Sequence, residues 1–226
     1  MSRRLRYHVA VSLDGFIAGP DGEYDWIVMD PSVDFSALYK EFDTAVMGRR
    51  TYETVTAQGG SGAMPGLDVV VFSRTLPPAV HKGVRIVNDE APGVVAALKA
   101  KPGRDIWLYG GGVLFRSLLD AGLVDTVEVA VVPVLLGAGV PLLPPGAATT
   151  LVLADHRVLP ATGMIALAYS LPGGVGPAPR IRYIKPATKG AKKSTKAGKS
   201  LKRPAAKRRV TKKEAPRARS GRPSAN

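Results

Sequence analysis

Apolar and polar residues alternate along RYHVAVSL (6–13), the period of a half-buried strand, and the pattern stops at the turn pair Asp14-Gly15. The period then changes. In DFSALYKEF (34–42), Phe35, Leu38, Tyr39 and Phe42 share one helical face. TAVMG (44–48) reads as a short apolar strand, RRTYETV (49–55) as the opening of a helix, and DVVVFS (68–73) as a β-branched strand. APGVVAALKA (91–100) predicts a helix with proline in its first turn, DIWLYG (105–110) a buried strand, and VLFRSLLDA (113–121) a helix stopped at Gly122. Three late strands, within residues 126–137, 150–159 and 164–171, follow without helices between them. An α/β rhythm that ends in antiparallel strands predicts one mixed sheet flanked by helices, an α/β fold without internal repeats.

Gly110, Gly111 and Gly112 fall at the strand-to-helix turn between Tyr109 and Val113. Two physical reasons can strip side chains from such a turn. Helix and sheet can pack closely there, or an anionic ligand can touch the bare amides at the start of a helix. The pattern alone leaves both open.

Composition divides the chain. Residues 1–184 carry 16 Lys and Arg against 17 Asp and Glu, a net of −1, whereas residues 185–226 carry the other 16 basic residues against Glu214 alone, a net of +15. Beyond the boundary near residues 183–186, Leu201 and Val210 are the last large apolar residues, so the tail is expected to be disordered by itself. A disordered polycation binds nucleic acid through counterion release, and without aromatic residues after Tyr183 that binding would be blind to sequence. No window approaches the roughly 18 uninterrupted apolar residues of a membrane span. The basic start MSRRLR leads into a short apolar stretch broken by Asp14, which reads as a first strand rather than a signal peptide. There is no cysteine, hence no disulfide framework and no thiolate metal site or nucleophile. His8, His81 and His156 lack ligand spacing and read as surface or internally satisfied histidines, so no metal is expected.

SLDGFIAG (12–19), VMGRRTYE (46–53), VFSRTL (71–76) and LYGGGVLFRSLLDAGLVDTVEVAVVPVLLGAG (108–139) occur in an order and spacing that resemble the dihydrofolate reductase superfamily. Within it, the chain is most similar to single-domain proteins like the reductase half of the bifunctional riboflavin-biosynthesis deaminase-reductase. The resemblance implies a mixed, mainly parallel sheet over residues 1–184, NADPH as cofactor, and hydride transfer to a small heterocyclic or carbonyl substrate, 5-amino-6-(5-phosphoribosylamino)uracil being one. It also implies a cytoplasmic homodimer, with nucleoid association through the tail if that segment binds nucleic acid. No zinc deaminase half is expected within residues 1–226, which hold no cysteine.

By the same resemblance the cofactor would meet Gly110, Gly111, Gly112, Val113 and Leu114, with Phe115 packed on the nicotinamide. Ile17 and Ala18 would border that ring. Gly48, Arg49, Arg50 and Thr51 form a second helix start suited to phosphate, since arginine's fork matches its oxygens. Ser73 and Arg74 would lie against the adenosine ribose and favour the 2′-phosphate of NADPH. Trp26 and Tyr109 are the candidate substrate contacts. Asp34 is the candidate proton donor and Asp30 its alternative, although Asp34 is equally a natural helix cap. Two other functions compete with reduction. One is nucleotide binding without catalysis, and the other is nucleic-acid association through the tail.

Overall fold

The computed structural model describes residues 3–174 apart from Gln58 and Lys82; the tail from 185 and its boundary lie outside them. Along the described chain run β1 (Leu5–Ser12), β2 (Phe16–Ala18), α1 (Phe35–Tyr39), β3 (Phe42–Gly48), α2 (Arg49–Ala57) and β4 (Asp68–Phe72). They are followed by β5 (Ala79–His81), β6 (Val84–Val87), α3 (Ala91–Ala100), β7 (Asp105–Gly110) and α4 (Gly112–Asp120). The chain then forms β8 (Thr126–Val132), β9 (Val140–Pro141), β10 (Val152–Leu159) and β11 (Met164–Ser170).

One sheet has the order β10-β11-β8-β1-β7-β3-β4-β6-β5. Its interior, from β8 to β6, is parallel, while β11, β10 and β5 join antiparallel at the two ends. β2 pairs separately with β9.

Period-two alternation sends each strand's apolar residues to two cores. Tyr7, Val46, Val70, Ile106 and Leu108 meet Val95, Leu98, Leu114 and Leu118 of α3 and α4 on one face. Ala45, Met47, Val69, Val71 and Trp107 meet Leu38 of α1 and Tyr52 of α2 on the other. α1 is shorter than its apolar spacing predicts. The helix ends at the cap residue Lys40, because Phe42 belongs to β3, where it is fully buried and stacked on Trp107 at 5.2 Å between centroids. Burying that ring contributes about 1.5–3 kcal/mol, more than one added helical turn would return.

The connections diverge at the centre of the sheet. β3 leads through α2 to β4 on one side, whereas its neighbour β7 leads through α4 past β1 to β8 on the other. Ligands of open α/β sheets bind outside the carboxyl ends of the strands at such a switch point. The sequence segments resembling a cofactor site all reach that edge.

The α1 face also buries charge. Arg6, fully buried, donates from Nε and Nη2 to the Glu128 carboxylate at 2.7 Å each, from Nη1 to Glu41 at 2.6 Å, and lies over the Phe42 ring. Thr126 Oγ1 donates to the same Glu128 at 2.8 Å. On the opposite face Tyr7 is buried against Phe115 with centroids 4.0 Å apart, and its hydroxyl makes no hydrogen bond among the described residues.

Candidate active-site cleft

The three glycines differ in what surrounds them. Gly110 has φ +151°, a conformation that side chains disfavour, and a methyl there would lie 3.4 Å from Thr51 Oγ1. On Gly111 it would lie 3.2 Å from the same oxygen. These two glycines face the first turn of α2 across a narrow gap. The peptide joining them is cis. Gly111 is also the N-cap of α4 and offers no side chain to cap it, so the first amides of the helix are left for another acceptor. Gly112 answers to packing. A methyl there would meet the Pro141 carbonyl at 2.6 Å and the Leu142 carbonyl at 3.1 Å.

The second helix start faces the first. Gly48 approaches Leu114, with a methyl on Gly48 lying 3.9 Å from its Cβ. Arg49 is paired with Glu53 at 2.8 Å, whereas Arg50 is exposed with its side chain turned to solvent. At the end of β4, the Ser73 hydroxyl accepts from the amides of Thr75 and Leu76, at 3.2 and 2.8 Å, and Arg74 is exposed. Ser73 thus forms the turn, and its hydroxyl proton is left for another acceptor. Asn88 holds the same turn by donating to the carbonyls of Ser73 and Leu76. The sequence reading passed over it because nothing local marks an asparagine fifteen residues from its partner.

β2 brings Ile17 and Ala18 to the same edge. Ile17 packs on the α4-side core, and the Ala18 carbonyl leaves no space for a side chain on Gly139, where a methyl would lie 2.2 Å away. Asp14 ties this turn to the loop after β8. Its carboxylate accepts from Ser12 Oγ at 2.6 Å and from the amides of Leu136 and Gly137, the latter at 2.7 Å. The hydrogen bond from Ser12, then that from Gly137, hold its carboxyl below the usual carboxylate range.

A depressed folded-state pKa contributes stability above the unfolded value, about 3.9, and that contribution is lost as pH falls through the folded value. Protection of the Leu136 and Gly137 amides against hydrogen exchange should therefore be flat from pH 8 to 5 and fall below about pH 4. In Asp14→Asn the acid step should be missing. Protection that persists unchanged to pH 2 in the wild type would contradict the clamp.

Leu114 and Phe115, read as cofactor contacts, and Asp34 and Asp30, read as proton donors, take other places. Phe115 is buried at 3% exposure against Tyr7, so it belongs to the core rather than the ring of a cofactor; Leu114, at 7%, likewise faces inward. Val113 is 74% exposed. Asp34 caps α1, accepting from the Ala37 amide at 2.9 Å. Asp30 is buried and accepts from the Ser32 amide and hydroxyl and from Thr162 Oγ1 at 2.7 Å, which staples its loop to the β10–β11 turn. Burial alone would raise its pKa, but those hydrogen bonds outweigh it and hold the carboxyl below its ordinary range. Asp30 thus accepts on both oxygens and Asp34 on Oδ1, each in a structural role.

Trp26 is half-buried over Val132, Leu159 and Met164, with Nε1 donating to the Glu23 carbonyl at 3.3 Å. Tyr109 stands edge-on to Trp107 at 5.2 Å, and burial, then the phenols of Tyr39 and Tyr24, push its own phenol up.

The model of the RibD C-terminal domain family matches residues 3–163. YyaP of Bacillus subtilis is 36% identical over 151 residues, which cover 62% of this chain and 80% of that one. The riboflavin biosynthesis protein RibD of Mycobacterium tuberculosis is 31% identical over 152 residues, 60% of this chain but only 44% of that longer protein. Among solved structures, a candidate riboflavin biosynthesis protein from Shewanella sp. PV-4 superposes with a TM-score of 0.64 at 29% identity, covering 76% of this chain and 99% of the other. Dihydrofolate reductase from Enterococcus faecalis, solved with NADP(H), shares the fold with a TM-score of 0.57 at 18% identity and the same coverage.

Proposed function

The chain belongs to the RibD C-terminal domain family, a reductase-type domain on a dihydrofolate reductase-like fold, and on that premise we propose that it is an NADPH-dependent reductase of a small heterocyclic or carbonyl compound. The observation that carries the reading is the pair Gly110 and Gly111, bare opposite Thr51 at the switch point of the sheet. A side chain on either would fill that gap, and the uncapped start of α4 supplies amides for a phosphate. The residues present fit the nucleotide. The amides from Gly112 to Leu114 would hold a phosphate, Ile17 and Ala18 would border the nicotinamide, and the exposed guanidinium groups of Arg50 and Arg74 would meet the outer phosphate. When bound, the cofactor supplies a hydride. Everything else falls to the chain, which must hold the ring near its acceptor, keep water out and provide a proton.

The similarity to RibD makes 5-amino-6-(5-phosphoribosylamino)uracil the first acceptor to try, with small aldehydes and imines beside it. Fluorescence titration should give saturable binding with NADPH at least about tenfold tighter than NADH, the margin of one charge-assisted phosphate contact. NADPH should then be oxidised on addition of an acceptor. Saturable binding without oxidation by any of them would favour a nucleotide-binding protein, and no binding at all would remove the reading. The net charge of +15 on residues 185–226 supports a second reading, affinity of that segment for nucleic acid.

A further inference from the structure

Interior strands of a parallel sheet are dry where helices cover both faces. On the α1 face that rule fails locally. His8 and Ala10 on β1, Ala130 on β8 and Tyr109 on β7 all stay half-buried. They are neighbours. His8 pairs with Glu128, and one rung further Ala10 pairs with Ala130, which pairs with Ala166 of β11. Small side chains at Ala10 and Ala130 leave a shallow trough over β1 and β8, opening toward the carboxyl edge where the glycine turn lies, while Ala166 on β11 is buried. Trp26 packs into the same small cluster as Ala10 and bounds one side, and Tyr109 and Trp107 bound the other.

His8 stands at the edge of this trough. Its ring is edge-on to Trp107 at 6.0 Å between centroids, and Trp107 Nε1 donates to the His8 carbonyl at 3.1 Å, which fixes the strand beneath it. The charged groups around it are engaged elsewhere. Glu128 of β8 is gripped by Arg6 and Thr126, Glu41 before β3 by Arg6, and Asp105 of β7 by Arg4 at 2.6 Å and Arg6 at 3.3 Å. Asp30 and Asp34 are held in their own clamps. Two phenols also face this part of the sheet, that of Tyr39 on α1, edge-on to Trp107 at 5.2 Å, and that of Tyr109, which burial pushes up.

Resting on the reductase reading above, we infer that His8 faces the acceptor and hands a proton to its reducible C=N or C=O group. The bond broken is the imidazolium N–H, and the bond made joins that proton to the acceptor's heteroatom, onto which the π electrons withdraw. The acceptor's carbon takes the hydride from NADPH, with NADP⁺ as the oxidised product, and solvent returns the proton to His8. Burial, assisted by Arg6 and opposed by Glu128 and Glu41, holds the imidazole below its ordinary range. The imidazolium is then the minor form near neutrality, so turnover should be fastest in mild acid and fall as pH rises toward 7.

Long-range proton–nitrogen NMR on the full chain tests the contact, with His8 assigned through His8→Gln. Adding NADP⁺ and 5-amino-6-(5-phosphoribosylamino)uracil should move the His8 ring signals and leave those of the exposed His156 in place. His8 signals that ignore both additions overturn the inference. In a kinetic arm with the same acceptor, His8→Gln should bind NADPH within about twofold of wild type, lose on the order of 100-fold in kcat, and lose the fall in rate as pH rises. A variant that keeps the wild-type rate and pH profile also overturns it. A wild-type chain that neither binds nor oxidises NADPH defeats the reductase reading instead. Movement of the His8 signals with the acceptor alone would still support His8 as its contact.

Discussion

Gly111→Asp should lose NADPH binding by on the order of 100-fold or more while leaving the fold intact. Gly111 has φ −102° and ψ −170°, extended backbone that any residue adopts, so the substitution carries no conformational penalty of its own. Its Cβ would sit 3.2 Å from Thr51 Oγ1, close enough that Thr51 must give by a few tenths of an ångström. The carboxylate beyond it would enter the space between the starts of α2 and α4. Two unit charges about 4 Å apart near a protein surface repel by about 4 kcal/mol, so a phosphate at that spot would be expelled. Gly111→Ala separates shape from charge and should cost about tenfold or less. Gly112→Ala should behave differently again. Its methyl meets backbone oxygens that cannot swing aside, so it should lower the melting temperature and affect binding only through the fold. Titration of the three variants, with circular dichroism to follow the fold, makes the comparison. Wild-type affinity in Gly111→Asp would place the nucleotide elsewhere.

That contrast shows where the sequence could and could not be read. The strand–glycine–helix unit was legible because four apolar residues in a row give way to helical spacing, and both halves follow from local periodicity. Which glycine serves a ligand and which serves packing was not legible. Gly112 is bare because Pro141, twenty-nine residues away, passes over it, and only the folded chain brings them together. β2 and β9 escaped notice for a similar reason. They are three and two residues long, too short to show a period, and exist because Phe16 pairs with Pro141.

Among single residues, local signals were read correctly where the partner is local. Asp34 looked like a helix cap and caps a helix. Asp30 looked like its twin and is instead bound to Thr162, a partner that no spacing could reveal. Phe115 lies one turn into α4, and whether such a ring turns to the cleft or to the core depends on how the helix rolls on the sheet. Tyr7 beneath it decides the matter. His8 was read as unremarkable because histidines far apart in sequence suggest no shared site. Its interest comes from the uncovered rungs around it, a property of the sheet and not of the residue.

Arg6→Met should be the most destabilising substitution at the sheet's centre, costing about 3–5 kcal/mol at neutral pH. Glu128 would then be a fully buried carboxylate with the Thr126 hydroxyl as its remaining partner of the present pair. In the native chain burial pushes its pKa up, and the hydrogen bonds and charge of Arg6 more than reverse this, keeping the carboxyl below its ordinary range. Without Arg6 the folded-state pKa should rise above the unfolded one. The native state would then bind the extra proton, so the penalty should shrink as pH falls toward 5 and grow toward 8. Glu128→Gln should be milder, about 1.5–3 kcal/mol, because Arg6 keeps Glu41 and Asp105. The pair Arg6→Met with Glu128→Leu removes both charges and should recover most of the loss, since Glu41 and Asp105 at the margin can turn to water. Urea denaturation at pH 5 and pH 8 distinguishes these outcomes through the midpoint at constant slope. A double variant no more stable than Arg6→Met alone would mean that the ion pair does more than neutralise itself. It would then be holding the rung of His8 and Glu128 in shape, and the cleft would depend on a buried charge.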